Sequence, residues 1–391
     1  MSVIVAIFIL GFIIFIHELG HFLVAKFFKV PVREFSIGMG PRIYSKVWKN
    51  TRYSLKAFPF GGSCAMIGED AAGSGDFTSV EGVTIDEEGL IDFEGVKFDK
   101  KYLEENNFAV ISPMKKFLIS LSGPFMNFLL AYTLSIVLVM QSGFDVPIIS
   151  NISEGSAATE AKPISLEKND EIIGLEIPSE SEKVIAYRDI VVFMQLNNKE
   201  FIEKNVPLAI TFKRNGETYK TIVRPKIDKE SGRAIIGISF GDFITKPKNV
   251  IEVLNLAGRE FYFYIKTTVM SLKLLFRGRL NANDISGPVG TVAVMGSAIN
   301  EASAYGIGSI LYTLFTLTVL ISANLGVMNL LPIPALDGGR IVFAAIEMII
   351  GRPIDNRIEG YVNTVTMILL LMFMVWIFGM DIYKLFTGTL Y

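Results

Sequence analysis

HELGH, residues 17–21, closes the apolar run VIVAIFILGFIIFI, residues 3–16, which has no charged or polar side chain. Ionisable groups at membrane depth are costly and mark function, so two histidines and a glutamate in this position need a reason. In a helix, residues i and i+4 share a face. His17 and His21 can therefore grip one metal ion from the same side, and Glu18, offset by one position, can reach a water beside it. This is the HExxH arrangement, in which two imidazoles hold zinc and the carboxylate acts as general base. The chain has only these two histidines among its 391 residues, so the spacing is hard to ascribe to chance. Polar packing between helices is the plainer reading, and it does not account for three ionisable groups together.

Half the chain, 51%, is hydrophobic, and the net charge is −2. A helix needs about 20 apolar residues to cross a bilayer, and four stretches qualify: 3–25, 117–140, 302–336 and 361–380. Allowing for their ends, we expect transmembrane helices in 1–28, 117–141 and 358–383, and in 303–337 a third transmembrane helix that runs on into the LDG loop. The first lacks the basic leader and small-residue cleavage site of a signal peptide. Cys64, the single cysteine, excludes an intrachain disulfide and a multi-cysteine zinc site, and reads as a small buried apolar residue. Eight basic residues against one acid lie between Lys26 and Lys56, and Arg340, Arg352 and Arg357 follow the third span. The positive-inside rule then places the amino terminus outside, residues 26–116 and 337–360 at the cytoplasmic face, and residues 141–250 outside. No nucleic-acid partner is expected.

A hydrolytic zinc site needs a third protein ligand and an open fourth position. With no histidine or cysteine pair left, the ligand should be a carboxylate. Asp337, in NLLPIPALDGG at the end of the third apolar stretch, is the best placed: spans one and three run in the same direction, so His17, His21 and Asp337 reach the same leaflet. A turn or helix-cap aspartate is the alternative role, and Glu347 is a competing ligand. Pro332 and Pro334 break the helix just before Asp337, and a broken helix at membrane depth is tolerated only against protein or a wet cavity.

HELGH in the first span and NLLPIPALDGG in the third resemble the site-2 protease family of intramembrane zinc metalloproteases, most closely its bacterial regulator-of-sigma-E branch with a single PDZ domain. REFSIGMGPRIYS (33–45), YSLKAFPFGGSCAMIGED (53–70), SGPFMNF (122–128), SGPVG (286–290) and GRIVFAAIEMIIGRPI (339–354) extend the resemblance over nearly the whole chain. It implies zinc bound by His17, His21 and Asp337, water activated by Glu18, and a substrate backbone held by Asn329 and Asn127. Helix–helix hydrogen bonding is the plainer role for both asparagines.

TRYSLKAF, residues 51–58, alternates with period two and reads as a strand. Its edge, with Tyr53 and Leu55, would pair with an unwound substrate by β-addition, and Gly61 and Gly62 would let the chain turn near the membrane. Pro332 and Pro334 are counted with these substrate-contacting residues. Thus 29–68 is expected to be a membrane-associated β region and 69–116 an acidic cytoplasmic loop, with twelve acids against three lysines in 69–107. Residues 145–242, with an Asn215-Gly216 hairpin signal, are expected to form a PDZ-like domain, although Asn169-Asp170 stands where that family has Gly-Asp. Residues 250–277 read as an amphipathic surface helix.

The expected architecture is a multi-span α-helical membrane protein with four transmembrane helices, a membrane-associated β region and one extracytoplasmic PDZ-like α/β domain. It would lie in the bacterial plasma membrane with its active site toward the cytoplasmic side. Its partners would be the lipid bilayer and single-span membrane substrates, such as anti-sigma factors or remnant signal peptides, cut by water that Glu18 deprotonates. A membrane metal-binding or transport protein and an inactive PDZ scaffold are the competing readings.

Overall fold

The computed structural model describes residues 2–69, 84–85, 90–228, 231–240, 244–278 and 287–387. Most of the acidic run, residues 70–83 and 86–89, and Ser286 of the SGPVG stretch lie outside the described residues. The chain divides into two compact units, Met1–Leu134 with Leu275–Tyr391, and Ser135–Leu274.

In the first unit, α1 (Ser2–Phe27) leads into β1 (Val32–Trp48) and β2 (Thr51–Met66). Lys49 and Asn50, both at positive φ, join Trp48 to Thr51 as a two-residue hairpin turn whose twist suits paired strands. The two strands pair antiparallel at the hairpin and between Val32–Ile37 and Gly62–Met66, but each doubles back within its own length, which sets Glu34–Ile37 in the same direction beside Arg52–Leu55. Glu34 to Ile37 therefore face Arg52 to Leu55 as well as Ala65 to Gly62, and Tyr44 to Val47 also face Leu55 to Arg52. Phe35, Cys64 and Met66 from this ribbon pack with Ala25 of α1 and with Ile119, and Phe22 and Tyr53 close over them. Glu34 is buried here. Burial would raise its carboxyl pKa, but hydrogen bonds from Arg42 and Ser54 and the nearby Lys56 hold it at about 2.

Next come β3 (Thr84–Ile85), β4 (Ile91–Phe93), β5 (Val96–Phe98), α2 (Lys100–Asn106) and α3 (Pro113–Ser142). Ile67, Phe93, Phe98 and Leu103 form a small core of their own.

The second unit starts within α3. It holds β6 (Phe144–Asp145), β7 (Asn151–Ile152), β8 (Glu171–Ile177), β9 (Glu180–Lys183), α4 (Tyr187–Leu196), α5 (Asn198–Lys204), β10 (Leu208–Arg214) and β11 (Glu217–Val223), followed by four two-residue strands, β12 to β15, at 226–227, 234–235, 238–239 and 244–245. β11, β10, β8 and β9 form one antiparallel sheet in that order. Ile172, Leu208, Ile210 and Phe212 of the sheet pack on Phe193 and Phe201 of the two helices. Asn215-Gly216 makes the expected hairpin turn between β10 and β11. Asn169 sits at φ 72, a backbone conformation that glycine adopts freely and asparagine tolerates, so it can stand in for glycine. Asp170 beside it accepts from the Glu167 amide and from Arg214.

α6 (Val250–Phe276) fastens to this sheet unit by its polar face. Glu260 pairs with Arg188, and Lys266 pairs with Glu182 and Asp189. Ile251, Leu254, Tyr262 and Val269 on the same helix are exposed.

The first unit resumes with α7 (Pro288–Ser303), α8 (Ile307–Asn329), α9 (Asp337–Ile350) and α10 (Asn356–Thr387). Among the described residues four helices are long and apolar enough to cross a membrane: α1, α3, α8 and α10. Within the third apolar stretch the spanning helix runs from Ile307, after Gly306 at φ 94, to Asn329 and is followed by the loop to Asp337, while α7 lies almost wholly before that stretch and is an element the apolar pattern did not mark. Asp381 of α10 accepts from the Gly287 and Gly290 amides at the start of α7, which gives the Gly-Pro-Val-Gly stretch a structural role.

Lys116 and Glu347 tie α3 to α9 by a buried pair at 3.0 Å. Removing one partner of such a pair strands the other charge, at a cost of about 3–5 kcal/mol. Glu347→Ala should therefore lower the thermal unfolding midpoint of the detergent-solubilised protein sharply. The double replacement Lys116→Leu with Glu347→Leu should lower it much less, as read by the same melting curve.

Candidate active site

Three hydrogen-bond acceptors converge where α1 meets the start of α9. His17 Nε2 lies 3.1 Å from Asp337 Oδ2, His21 Nε2 lies 3.3 Å from Asp337 Oδ1, and the two Nε2 atoms are 3.2 Å apart. Among the described residues these three form the one group whose donors could hold a metal ion. Both rings are buried and the carboxylate nearly so.

The donor set fits zinc on two counts. A tetrahedral ion with bonds of about 2.0–2.1 Å holds its ligand atoms roughly 3.3–3.4 Å apart, close to the spacings here. Second, His21 Nδ1 donates to the Ile119 carbonyl at 2.8 Å, which leaves its Nε2 a bare lone pair. An imidazole acceptor set against a carboxylate and a second imidazole is repulsive unless a proton or a metal ion lies between them, and a metal ion satisfies all three at once.

α3 supplies the orientation. Pro124 lies inside it and cannot donate to the Ser120 carbonyl, which loosens the ladder at that turn. The neighbouring Ile119 carbonyl is the one that receives His21. On the other ring, Asn127 Nδ2 lies 3.3 Å from His17 Nδ1, while Asn127 Oδ1 is buried with no partner. With the amide turned by half a turn, Oδ1 accepts from His17 Nδ1–H, the tautomer that keeps Nε2 bare.

Glu18 lines the same cleft, of about 570 Å³, together with His17, His21, Asn329 and Asp337. One of its oxygens accepts from the Cys64 amide at 2.9 Å. Asn329 at the end of α8 places Nδ2 3.2 Å from His17 Nε2 and is only half-buried, so its amide faces the open side. Glu69 and Arg340 pair in the cleft wall. Burial pushes the Cys64 thiol well above its ordinary pKa, with the Glu18 charge adding to it. That agrees with a packed small residue rather than a reactive one.

The other candidate residues stand elsewhere. Tyr53 faces Phe35 on one side and Lys46 on the other, and Leu55 faces Ile37 and Tyr44. The stretch 51–58 is therefore an inner strand with no edge to offer, and the two residues line a separate aromatic groove with Phe15 and Trp48. The outer strand beside the cleft is Gly62–Met66, whose partners among the described residues lie on one side only. Asn127 is fully buried against His17, so it contacts the ring and not the open cleft. Pro332 and Pro334 shape the loop before Asp337 but are not among the cleft-lining residues. Glu347 is engaged by Lys116 and stands outside the cluster.

Sequence reading missed the Ile119 carbonyl, a backbone atom that no residue type announces. It also missed Gly123, whose only signal was the Ser-Gly-Pro stretch quoted for the resemblance.

The family model for peptidase family M50 matches residues 5–373. A Fusobacterium nucleatum protein provisionally named a zinc metalloprotease is 35% identical over 99% of this chain and all of its own length. Zinc metalloprotease RasP of Geobacillus kaustophilus is 28% identical over 98% of both chains. Regulator of sigma-W protease RasP of Bacillus subtilis is 29% identical over 98% of this chain and 99% of its own.

A Cβ at Gly123 would overlap His21 Nε2 and come within 2.8 Å of His17 Cε1. Gly123→Ala should therefore displace both rings. Metal analysis of the purified variant is expected to show zinc well below one equivalent, while circular dichroism reports an unchanged helix content.

Proposed function

We propose that this chain, which belongs to peptidase family M50 and is a zinc metalloprotease, hydrolyses peptide bonds within the transmembrane segments of single-span membrane proteins. The observation that carries this reading is the convergence of two imidazoles of a spanning helix with Asp337, and with Glu18 in the same cleft. His17, His21 and Asp337 are the zinc ligands in this reading. Zinc, when bound, supplies a Lewis acid that polarises the scissile carbonyl and acidifies the attacking water.

The chain's own residues supply the rest. Glu18 takes a proton from the water and returns it to the leaving amine. Asn329 aims its amide N–H at the carbonyl oxygen as charge develops there. Asn127 and the Ile119 carbonyl fix the ring tautomers, which orients the ligands. The substrate helix must unwind before attack, because its own hydrogen bonds shield the peptide bond. Gly62–Met66 offers the unwound segment a strand to pair with, and the Cys64 N–H points out of that edge, where Glu18 now accepts it.

The Bacillus subtilis relative is named for regulating sigma-W. Membrane-anchored anti-sigma factors already trimmed outside, and remnant signal peptides, are the substrates that suit this reading. By the charge distribution the protein lies in the bacterial plasma membrane with the cleft toward the cytoplasmic side. We read residues 145–242 as an extracytoplasmic PDZ-like domain that restricts entry to trimmed substrates. The exposed apolar face of α6 suits a helix resting on the outer membrane surface.

Glu18→Gln should abolish cleavage of a labelled single-span substrate, by 10²–10⁴-fold or more, while zinc content stays at wild-type level. Asp337→Asn should lose both zinc and cleavage. Undiminished proteolysis by Glu18→Gln removes the mechanism, and undiminished zinc in Asp337→Asn removes the ligand.

A further inference from the structure

The loop that delivers Asp337, residues 330–336, is fixed by two kinds of contact. From within, α9 presses against it. A Cβ on Gly338 would overlap the Leu331 carbonyl oxygen and come within 2.6 Å of Leu330, and one on Gly339 would come within 2.7 Å of Pro334 Cα. From outside, among the described residues, comes a side-chain hydrogen bond: Asn363 of α10 accepts from the Ala335 amide at 3.0 Å.

That contact falls where the backbone most needs it. Ala335 has a φ of 71, the left-handed region that a residue with a Cβ avoids, and it lies two residues before Asp337. Leu336, which follows, caps α9 without any side-chain hydrogen bond. Asn363 itself is 2% exposed on a helix long and apolar enough to span a membrane, where a buried amide is costly unless partnered. Its neighbours Tyr361, Val365, Ile368 and Leu369 are exposed, so this asparagine is one of few inward attachments of α10.

We propose that Asn363 is a positioning residue for the zinc site: it holds Ala335 in its left-handed conformation and thereby sets where the Asp337 carboxylate stands. The inference rests on Asp337 being a zinc ligand. Nothing else about the metal is needed, since the contact runs from side chain to backbone to ligand.

The test is zinc affinity, measured by competition with a chromogenic chelator on the full-length protein in detergent, beside cleavage of a membrane substrate. Asn363→Leu removes the acceptor at similar volume. Outer partners of metal ligands are typically worth 10–100-fold in affinity, and a loss of that size is expected, with cleavage falling in parallel. Ala335→Gly placed in the Asn363→Leu background should recover most of the affinity, because glycine takes positive φ without strain. A helix-packing role would instead lower the melting temperature of the zinc-free protein and leave affinity untouched, with no recovery from glycine, and that result overturns the proposal. Should Asn363→Leu fail to fold, Asn363→Ser, too short to reach Ala335, takes its place with the same expected results. Asp337→Asn is run alongside. If it loses zinc while Asn363→Leu keeps it, this inference alone fails; if it keeps zinc, the ligand reading fails first.

Discussion

Everything in the helical unit answers to one electrostatic difficulty. Two imidazole lone pairs and a carboxylate are held 3.1–3.3 Å apart at the edge of an apolar helix, where charge is poorly screened. Lone pairs turned on one another at this distance repel when neither a proton nor a metal ion lies between them, so such a cluster would spread apart if its members could move. They cannot move freely. His21 is pinned by a backbone carbonyl, His17 lies against a fully buried asparagine, and Asp337 begins a helix whose first glycines lock into the preceding loop. The fold holds the acceptors in place, and a divalent cation turns their repulsion into binding.

That requirement explains why the site draws on separate parts of the chain. α1 carries two of the proposed ligands, and the groups that orient their rings come from elsewhere. α3 supplies those groups, and its Gly123 lets the two helices approach closely enough for the contacts to form. α9 brings the third proposed ligand and is tied to α3 by the Lys116–Glu347 pair. The ribbon β1–β2 closes the cleft with the outer strand Gly62–Met66. No one of these elements makes a site alone.

The legible parts of this arrangement are those with a periodic or compositional signature. HELGH shows its chemistry because helical spacing fixes which side chains share a face. Asp337 follows from ligand chemistry and the parity of the spans. Four long apolar helices appear where apolar runs stood. The rest is invisible for definite reasons. Period-two alternation at 51–58 reports a strand but says nothing about its neighbours, so Tyr53 and Leu55 passed for an edge when both flanks are paired. The apolar stretch 302–336 hides a break, because Gly306 differs from its neighbours in backbone angle and not in hydropathy. A carbonyl such as that of Ile119 belongs to every residue alike. Asn127 and Asn329 are the same residue type at similar distances from one ring, and only burial separates the one behind it from the one facing the cleft.

In the proposed reaction, the hydrogen bond from Cys64 to Glu18 would link catalysis with recognition. An outer strand pairs through the N–H groups that point away from the sheet, and the Cys64 N–H is one of them, already occupied by the carboxylate that sits one residue after a metal-site histidine. In the proposed reaction a substrate strand adding to this edge would compete for that same donor. Glu18 would then be released from the strand as the substrate backbone arrives, so that pairing at the edge and freeing of the carboxylate would be two consequences of one exchange of hydrogen-bond partners.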